Sequence, residues 1–154
     1  MRADYTYDGG MTPAEEIAAA FGALLLRGNR AHLYDRLTED VAGVDSTTYP
    51  VLSGLDRAGS ATATRLAEII GLDRTVTTRY AARLAELGLV ARTADPHDAR
   101  AVHLTLTVQG RAAVATMRAA LVSTLAVATA GWPADELESF AVSLRRLVDA
   151  LLPG

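Results

Sequence analysis

Between residues 62 and 106 a short helical pattern, a glycine, a second helical pattern and a strand-turn-strand pattern follow one another almost without spacers: ATRLAEIIGL, DRTVTTRYAARLAELGLV and ARTADPHDARAVHLTL. In the first, Leu66, Ala67, Ile69 and Ile70 are expected on one side, Gly71 lets the backbone turn sharply, and Leu72 anchors the corner. Asp73 is a good N-cap for the next helix. There Thr77, Tyr80, Ala81, Leu84 and Leu87 recur at three- and four-residue spacing and are predicted to face the core. Arg74, Thr75, Thr78, Arg79, Ala82 and Arg83 then face outward with Val76 beside them, a stripe suited to phosphates and base edges. Gly88 is placed to end the helix, and Leu89 and Val90 lead into a strand. Helix, turn, helix and hairpin in that order spell a winged helix-turn-helix, an architecture suited to holding duplex DNA.

The wing is read from Asp95-Pro96-His97-Asp98, a turn cluster between Val90-Ala91-Arg92 and the alternating Val102, Leu104 and Leu106. Arg100, just past the turn, is set to reach a narrow and strongly negative minor groove. Asp98 is near enough in sequence to hold its guanidinium by a charge-assisted bond.

These residues resemble the MarR (multiple-antibiotic-resistance regulator) family of bacterial repressors, and the likeness extends over nearly the whole chain. It rests on LAELGLV at 84–90, the basic Arg92, the wing core Asp98-Ala99-Arg100, and Leu104-Thr105-Leu106-Thr107 followed by Gly110. Where the family usually has a second basic residue between the wing Asp and Arg, this chain has Ala99, which removes one phosphate contact per subunit. It also has Thr77 where the family favours an apolar residue. The resemblance implies a homodimer whose first and last helices interlock and whose two heads read a pseudo-palindromic operator on double-stranded DNA. It also implies an effector pocket where the dimer helices meet the reader. Candidates to line it are Arg30, His32, Tyr34 and Tyr49, with Arg27 and Met117 nearby, a set suited to a small aromatic or anionic ligand.

A net charge of −3 is unexpected in a DNA reader until its distribution is considered. Residues 57–111 hold eight arginines against five acids, a balance of +3, and the rest of the chain carries −6. A basic middle between acidic ends is the footprint of a reader domain carried on helices with another task. All fifteen cations are arginine.

Thr12-Pro13-Ala14-Glu15 is a capping box with proline at N1, so a helix is predicted from there to about Thr38. A second runs from Ser46 as N-cap to about Ala58, with Pro50 in its first turn and Val51, Leu52 and Leu55 buried. After the wing, one helix is expected from Thr107 to about Ala130, and another opens at Pro133 after the Gly131 break. Leu121, Leu125, Leu137, Phe140, Leu144, Leu147, Val148, Leu151 and Leu152 need more cover than one such domain supplies.

The expected fold is therefore mainly α, a winged helix-turn-helix with a β-hairpin wing flanked by N- and C-terminal dimerisation helices. Its parts are a dimerisation helix in 1–40, a DNA-binding region in 41–110 and dimerisation helices in 111–154. The DNA-binding candidates are Arg74, Thr75, Val76, Thr78, Arg79, Arg83, Arg92, His97, Asp98 and Arg100.

Other chemistries find little support. His97 and His103 lack a third ligand at metal spacing, so neither metal nor cofactor is expected. There is no glycine-rich phosphate loop, no G-x-S-x-G and no cysteine, which removes the usual nucleophiles and any thiol switch; a non-enzyme is expected. No uninterrupted apolar stretch approaches the roughly 20 residues that span a bilayer. Asp4, Asp8 and Gly9-Gly10 are unlike a secretory signal, and the expectation is a cytoplasmic protein without a membrane partner. A winged-helix module that binds protein partners or small molecules, without strong DNA affinity, remains the alternative.

Overall fold

The computed structural model describes residues 10–95, 97–98 and 100–152. In chain order these form α1 (Pro13–Leu25), α2 (Arg27–Thr38), α3 (Tyr49–Ala58), β1 (Ser60–Thr62), α4 (Ala63–Ile70), α5 (Arg74–Glu86), β2 (Val90–Ala94), β3 (Val102–Leu106), α6 (Val108–Ala128) and α7 (Ala134–Leu151). The fold is mainly helical, with a winged helix-turn-helix at its centre.

Helix α3 is the hub. Val51, Leu52 and Leu55 are completely buried, and α4, α5, α6 and the sheet pack around them through Leu66, Ala81, Leu84, Val90, Leu104, Val114 and Met117. Each fully buried leucine here contributes roughly 1.5–3 kcal/mol over an exposed one. Gly54 allows α4 to come this close, since a Cβ there would meet Ile70 Cγ2 at 2.5 Å and Leu66 Cδ1 at 2.9 Å. Polar residues enter the core only when satisfied. Thr77 is fully buried in place of an apolar residue because its hydroxyl donates to the Asp73 carbonyl at 2.9 Å.

The predicted hairpin forms in the register Val90↔Leu106 to Ala94↔Val102. It is joined by a strand that local pattern does not reveal: β1 pairs antiparallel with β3, giving a three-stranded sheet in the order β1-β3-β2. Leu104 and Leu106 point into the core, whereas Val102 is 36% exposed because the wing has by then projected beyond it. The turn residues Pro96 and Ala99 lie outside the described residues.

Several expectations are corrected. The single helix from Pro13 to Thr38 is two, broken at Leu26, which adopts an extended conformation (φ −56°, ψ 131°). Gly28 and Asn29 favour the break: glycine weakens a helix, and the Asn29 amide donates to the Ala23 carbonyl at 2.7 Å. Helix α3 begins at Tyr49, not after Ser46, because Asp45 rather than Ser46 ties the preceding turn by accepting from the Thr47 and Thr48 backbone N–H groups. Ile69 and Leu87 are 40% and 41% exposed, not core residues. Leu87 instead lies over Gly43.

The ends of the chain are differently built. Thr12 and Glu15 form the capping box of α1, yet neither α1 nor α7 buries a residue, and α7 packs on no other element to any extent. Ile17, Leu24, Leu125, Phe140 and Leu144 remain exposed. Helix α6 has 21 residues and, over an 18-residue window, a mean hydropathy of 1.3, sufficient by length and composition to cross a membrane, although no unbroken apolar stretch reveals this. Its first half is committed elsewhere, with Gly110, Ala113, Val114 and Met117 buried where α6 packs on α2, α3 and β3.

Gly110 sits where α6 starts against the loop after α5, and a Cβ there would fall on the Leu89 carbonyl oxygen. Backbone cannot rotate away as a side chain can. Gly110→Ala should therefore destabilise the protein by about 1–3 kcal/mol, read as a lower urea midpoint at matched protein concentration.

Candidate nucleic-acid interface

Helix α5 is held at both ends by local chemistry. Gly71 takes a left-handed conformation (φ 67°) that closes α4, and the Asp73 side chain accepts from the Thr75 and Val76 backbone N–H groups at 2.7 and 3.2 Å. Those bonds, Val76's first and then Thr75's, keep the Asp73 carboxyl below the usual carboxylate range. At the other end Gly88 (φ 74°) makes a Schellman motif, its N–H donating to the Ala85 carbonyl and that of Leu89 to the Leu84 carbonyl, both at 2.9 Å.

With Thr77, Ala81 and Leu84 facing inward, Arg74, Thr75, Thr78 and Arg79 form the exposed face, and Val76 is half-buried beside them. The Thr78 hydroxyl donates to the Arg74 carbonyl at 2.9 Å, so towards a ligand it offers an acceptor and a methyl group. The Arg79 guanidinium lies over the Tyr80 ring at 5.3 Å from its centroid. Arg92, exposed on β2, lines a crevice of about 30 Å³ with Thr78 and Leu104, so the helix face and the wing form one continuous surface.

At the wing tip His97, Asp98 and Arg100 are exposed. Asp98 is placed differently from expectation: its carboxylate accepts from the Arg100 backbone N–H at 2.9 Å, and among the described residues no ion pair joins it to the guanidinium. A short Asp side chain reaches the backbone N–H two residues on more readily than the end of a long side chain. His103 bonds to Asp95 Oδ2 at 2.9 Å through Nε2 and lies 3.3 Å from the Ser60 hydroxyl at Nδ1, tying the tip to β1. The His97 backbone N–H, and secondly His103, hold the Asp95 carboxyl below its ordinary range.

Arg83 is exposed beside that stripe, as its spacing predicts, but its guanidinium is engaged, and not with Glu86. Its Nη1 donates to Asp45 Oδ2 at 2.8 Å and its Nη2 to the Gly43 carbonyl at 3.0 Å, fastening α5 to the loop before α3. Burial would raise the Asp45 pKa. The Thr47 hydroxyl, the Arg83 guanidinium and the backbone N–H groups of Thr48 and Thr47 outweigh that effect and lower it to about 2.

A second concavity, a cleft of about 160 Å³, opens between α3 and α6. Tyr49 and Met117 line it, together with Ser53, Asp56, Arg57 and Arg118. Arg118 and Asp56 are paired at 2.6 Å. Tyr34 stands behind, stacked on Tyr49 with ring centroids 4.3 Å apart, while Arg30 and His32 are exposed on α2 and do not line the cleft. Sequence reasoning missed Asp45, Asp56 and Arg118; their partners lie 38 and 62 positions away, beyond any local pattern.

Residues 42–101 match the model of the MarR family. No curated protein matches the chain in sequence. Among solved structures, apo MarR from E. coli is 21% identical, with 90% of this chain and 98% of that one covered at a TM-score of 0.73. A MarR transcriptional regulator from Methanosarcina mazei Go1 is 21% identical, with 88% and 96% covered at 0.70. Another structure, described as a MarR family transcription regulator, is 26% identical, with 90% and 93% covered at 0.67.

A lowered carboxylate pKa fixes the sign of a pH effect. What Asp45 contributes to stability is complete above its unfolded pKa, near 3.8, and is lost as pH falls through about 2. The gap in urea midpoint between wild type and Asp45→Asn should accordingly be constant from neutral pH to about 5 and close below about 4.

Proposed function

We propose that the chain, whose residues 42–101 match the MarR family model, is a MarR-family winged helix-turn-helix protein that acts as a homodimeric, DNA-binding transcriptional repressor released by a small effector. The observation that carries the reading is the set of exposed arginines on one surface. Arg74 and Arg79 on α5 and Arg92 and Arg100 on the wing have no acid partner among the described residues, while Asp45, Asp73, Asp95 and Asp98 are occupied with a clamp, a cap and turns.

In this reading α5 enters a major groove of duplex DNA. Thr75, Val76 and Thr78 meet base edges and thymine methyls, and Arg74, Arg79 and Arg92 meet phosphates. The wing carries Arg100 towards the adjacent minor groove, with His97 near the backbone and Asp98 shaping the turn. Arg83 is held back by Asp45.

Residues 1–40 and 111–154 then serve as dimerisation segments around a reader in 41–110. The bare apolar faces of α1, the far half of α6 and α7 support this, since exposed patches of that extent mark interaction surfaces. Two readers related by a two-fold axis fit a pseudo-palindrome and repress by occupying it. The α3–α6 cleft, with Tyr49 for stacking and Arg57 and Arg118 for charge, suits a small aromatic or anionic effector. Release requires that this ligand prefer one separation of the heads over another. Such a regulator works in the cytoplasm, without a cofactor, a membrane or a catalytic step.

Selection of bound duplexes from a random pool, followed by a salt titration on the winner, tests the reading. A palindrome with half-site centres about one helical turn apart and an affinity falling steeply with salt is the expected result. A folded dimer that enriches nothing would sink it. On the selected duplex Arg100→Ala should weaken binding by roughly 1–3 kcal/mol, about 5- to 150-fold, with sedimentation of the dimer unchanged. Unaltered affinity would mean that the wing does not reach the groove.

A further inference from the structure

The clamp on Arg83 divides the positive charge of the recognition helix. Arg74 and Arg79 project without an acid partner, but both guanidinium nitrogens of Arg83 that face the loop are taken, Nη1 by Asp45 Oδ2 at 2.8 Å and Nη2 by the Gly43 carbonyl at 3.0 Å. Asp45 is no casual surface acid. Its other oxygen accepts from the Thr47 hydroxyl at 2.6 Å and from the Thr47 and Thr48 backbone N–H groups at 3.0 and 3.1 Å, so the carboxylate is fixed by the turn that starts α3 before Arg83 reaches it.

A second grip lies one helical turn further on. Gly43 adopts φ 77°, and a Cβ there would stand 2.8 and 2.9 Å from the methyl carbons of Leu87, four residues after Arg83 on the same side of α5. The loop between α2 and α3 thus holds the recognition helix by one polar and one apolar contact, spaced along a single face.

We propose that Asp45 is a specificity-determining positioning residue: it withholds Arg83 from DNA phosphates and fixes the angle at which Thr75, Val76 and Thr78 are presented. The inference rests on the DNA-binding reading above. Affinity that ignores sequence comes from counterions released as phosphates are neutralised, and each added contact steepens the salt dependence by about 0.9. An unclamped Arg83 would add one such contact per subunit on any duplex. Discrimination comes from base edges met in a fixed register, and a loosened helix loses it. Asp45 therefore acts on both sides of the ratio between chosen and random DNA.

The test compares wild type, Asp45→Asn, Arg83→Gln and the double variant as full chains. Each is titrated on the selected duplex and on a scrambled duplex of equal length, between about 50 and 200 mM salt. For Asp45→Asn, affinity for the scrambled duplex should rise several-fold, with a log–log salt slope steeper by about 1 per subunit, and the selected-to-scrambled ratio should fall about tenfold. The double variant should return the slope to the wild-type value. Arg83→Gln alone should leave it unchanged, because in the wild type this charge is not available to phosphate. A slope that drops in Arg83→Gln, or equal losses on both duplexes in Asp45→Asn with no change of slope, overturns the proposal even if one variant folds poorly. A wild type without salt-dependent affinity for either duplex overturns the DNA-binding reading itself, and this inference with it.

Discussion

Everything that this molecule presents to a ligand is aimed by the burial of one short helix. Leu52 and Leu55 of α3 are inaccessible to water because α4, α5, α6 and the sheet close over them, and none of those elements has another core of its own. The angle of α5, the projection of the wing and the root of α6 are thus solutions to one packing problem. Interiors are packed as densely as organic crystals, so a change of one methylene at this hub is felt by the recognition helix. Gly54 marks how little slack there is: α4 crosses α3 at a distance that allows no Cβ.

A hub this tight can take in polar groups only on condition that they bring their own partners. Thr48 and Thr77 are fully buried and Thr38 nearly so, and each hydroxyl is bonded to nearby backbone. Threonine fits here because its methyl fills the space of valine while its oxygen returns to a carbonyl three or four residues back. Among the described residues no buried side-chain donor or acceptor is left without a partner. The core therefore spends its polar atoms on fixing helix ends and turns, which is what holds a recognition helix at a constant angle.

The parts of this arrangement legible in the sequence are those that neighbours along the chain decide. Asp73 as a cap, Gly71 and Gly88 as left-handed helix ends and Thr77, Ala81 and Leu84 as one face all follow from spacing and local hydrogen bonding. What was not legible depends on distant partners. Strand β1 is three residues with no pattern of their own, and it exists because β3 offers a free edge. Arg30 and His32 are candidates only through the family resemblance, and no local pattern tells whether side chains on α2 reach the cleft between α3 and α6. Arg83 has the spacing of the open stripe and is exposed with it, but an aspartate 38 residues earlier engages its guanidinium.

The uneven distribution of charge then acquires a structural meaning. Around α5 and the wing four aspartates are short-range fasteners: Asp73 on an N-terminus, Asp95 and Asp98 on the wing turn, Asp45 on Arg83. Each cancels little of the field of the arginines beyond the groups it touches, so the outer face of α5 and the wing stay positive in a chain whose net charge is −3. The acidic excess outside the reader lies mainly on the helices that bury nothing within one subunit. The apolar faces of the same helices stay uncovered among the described residues. An acidic protein can in this way present a basic surface, provided that its acids are committed before any phosphate arrives.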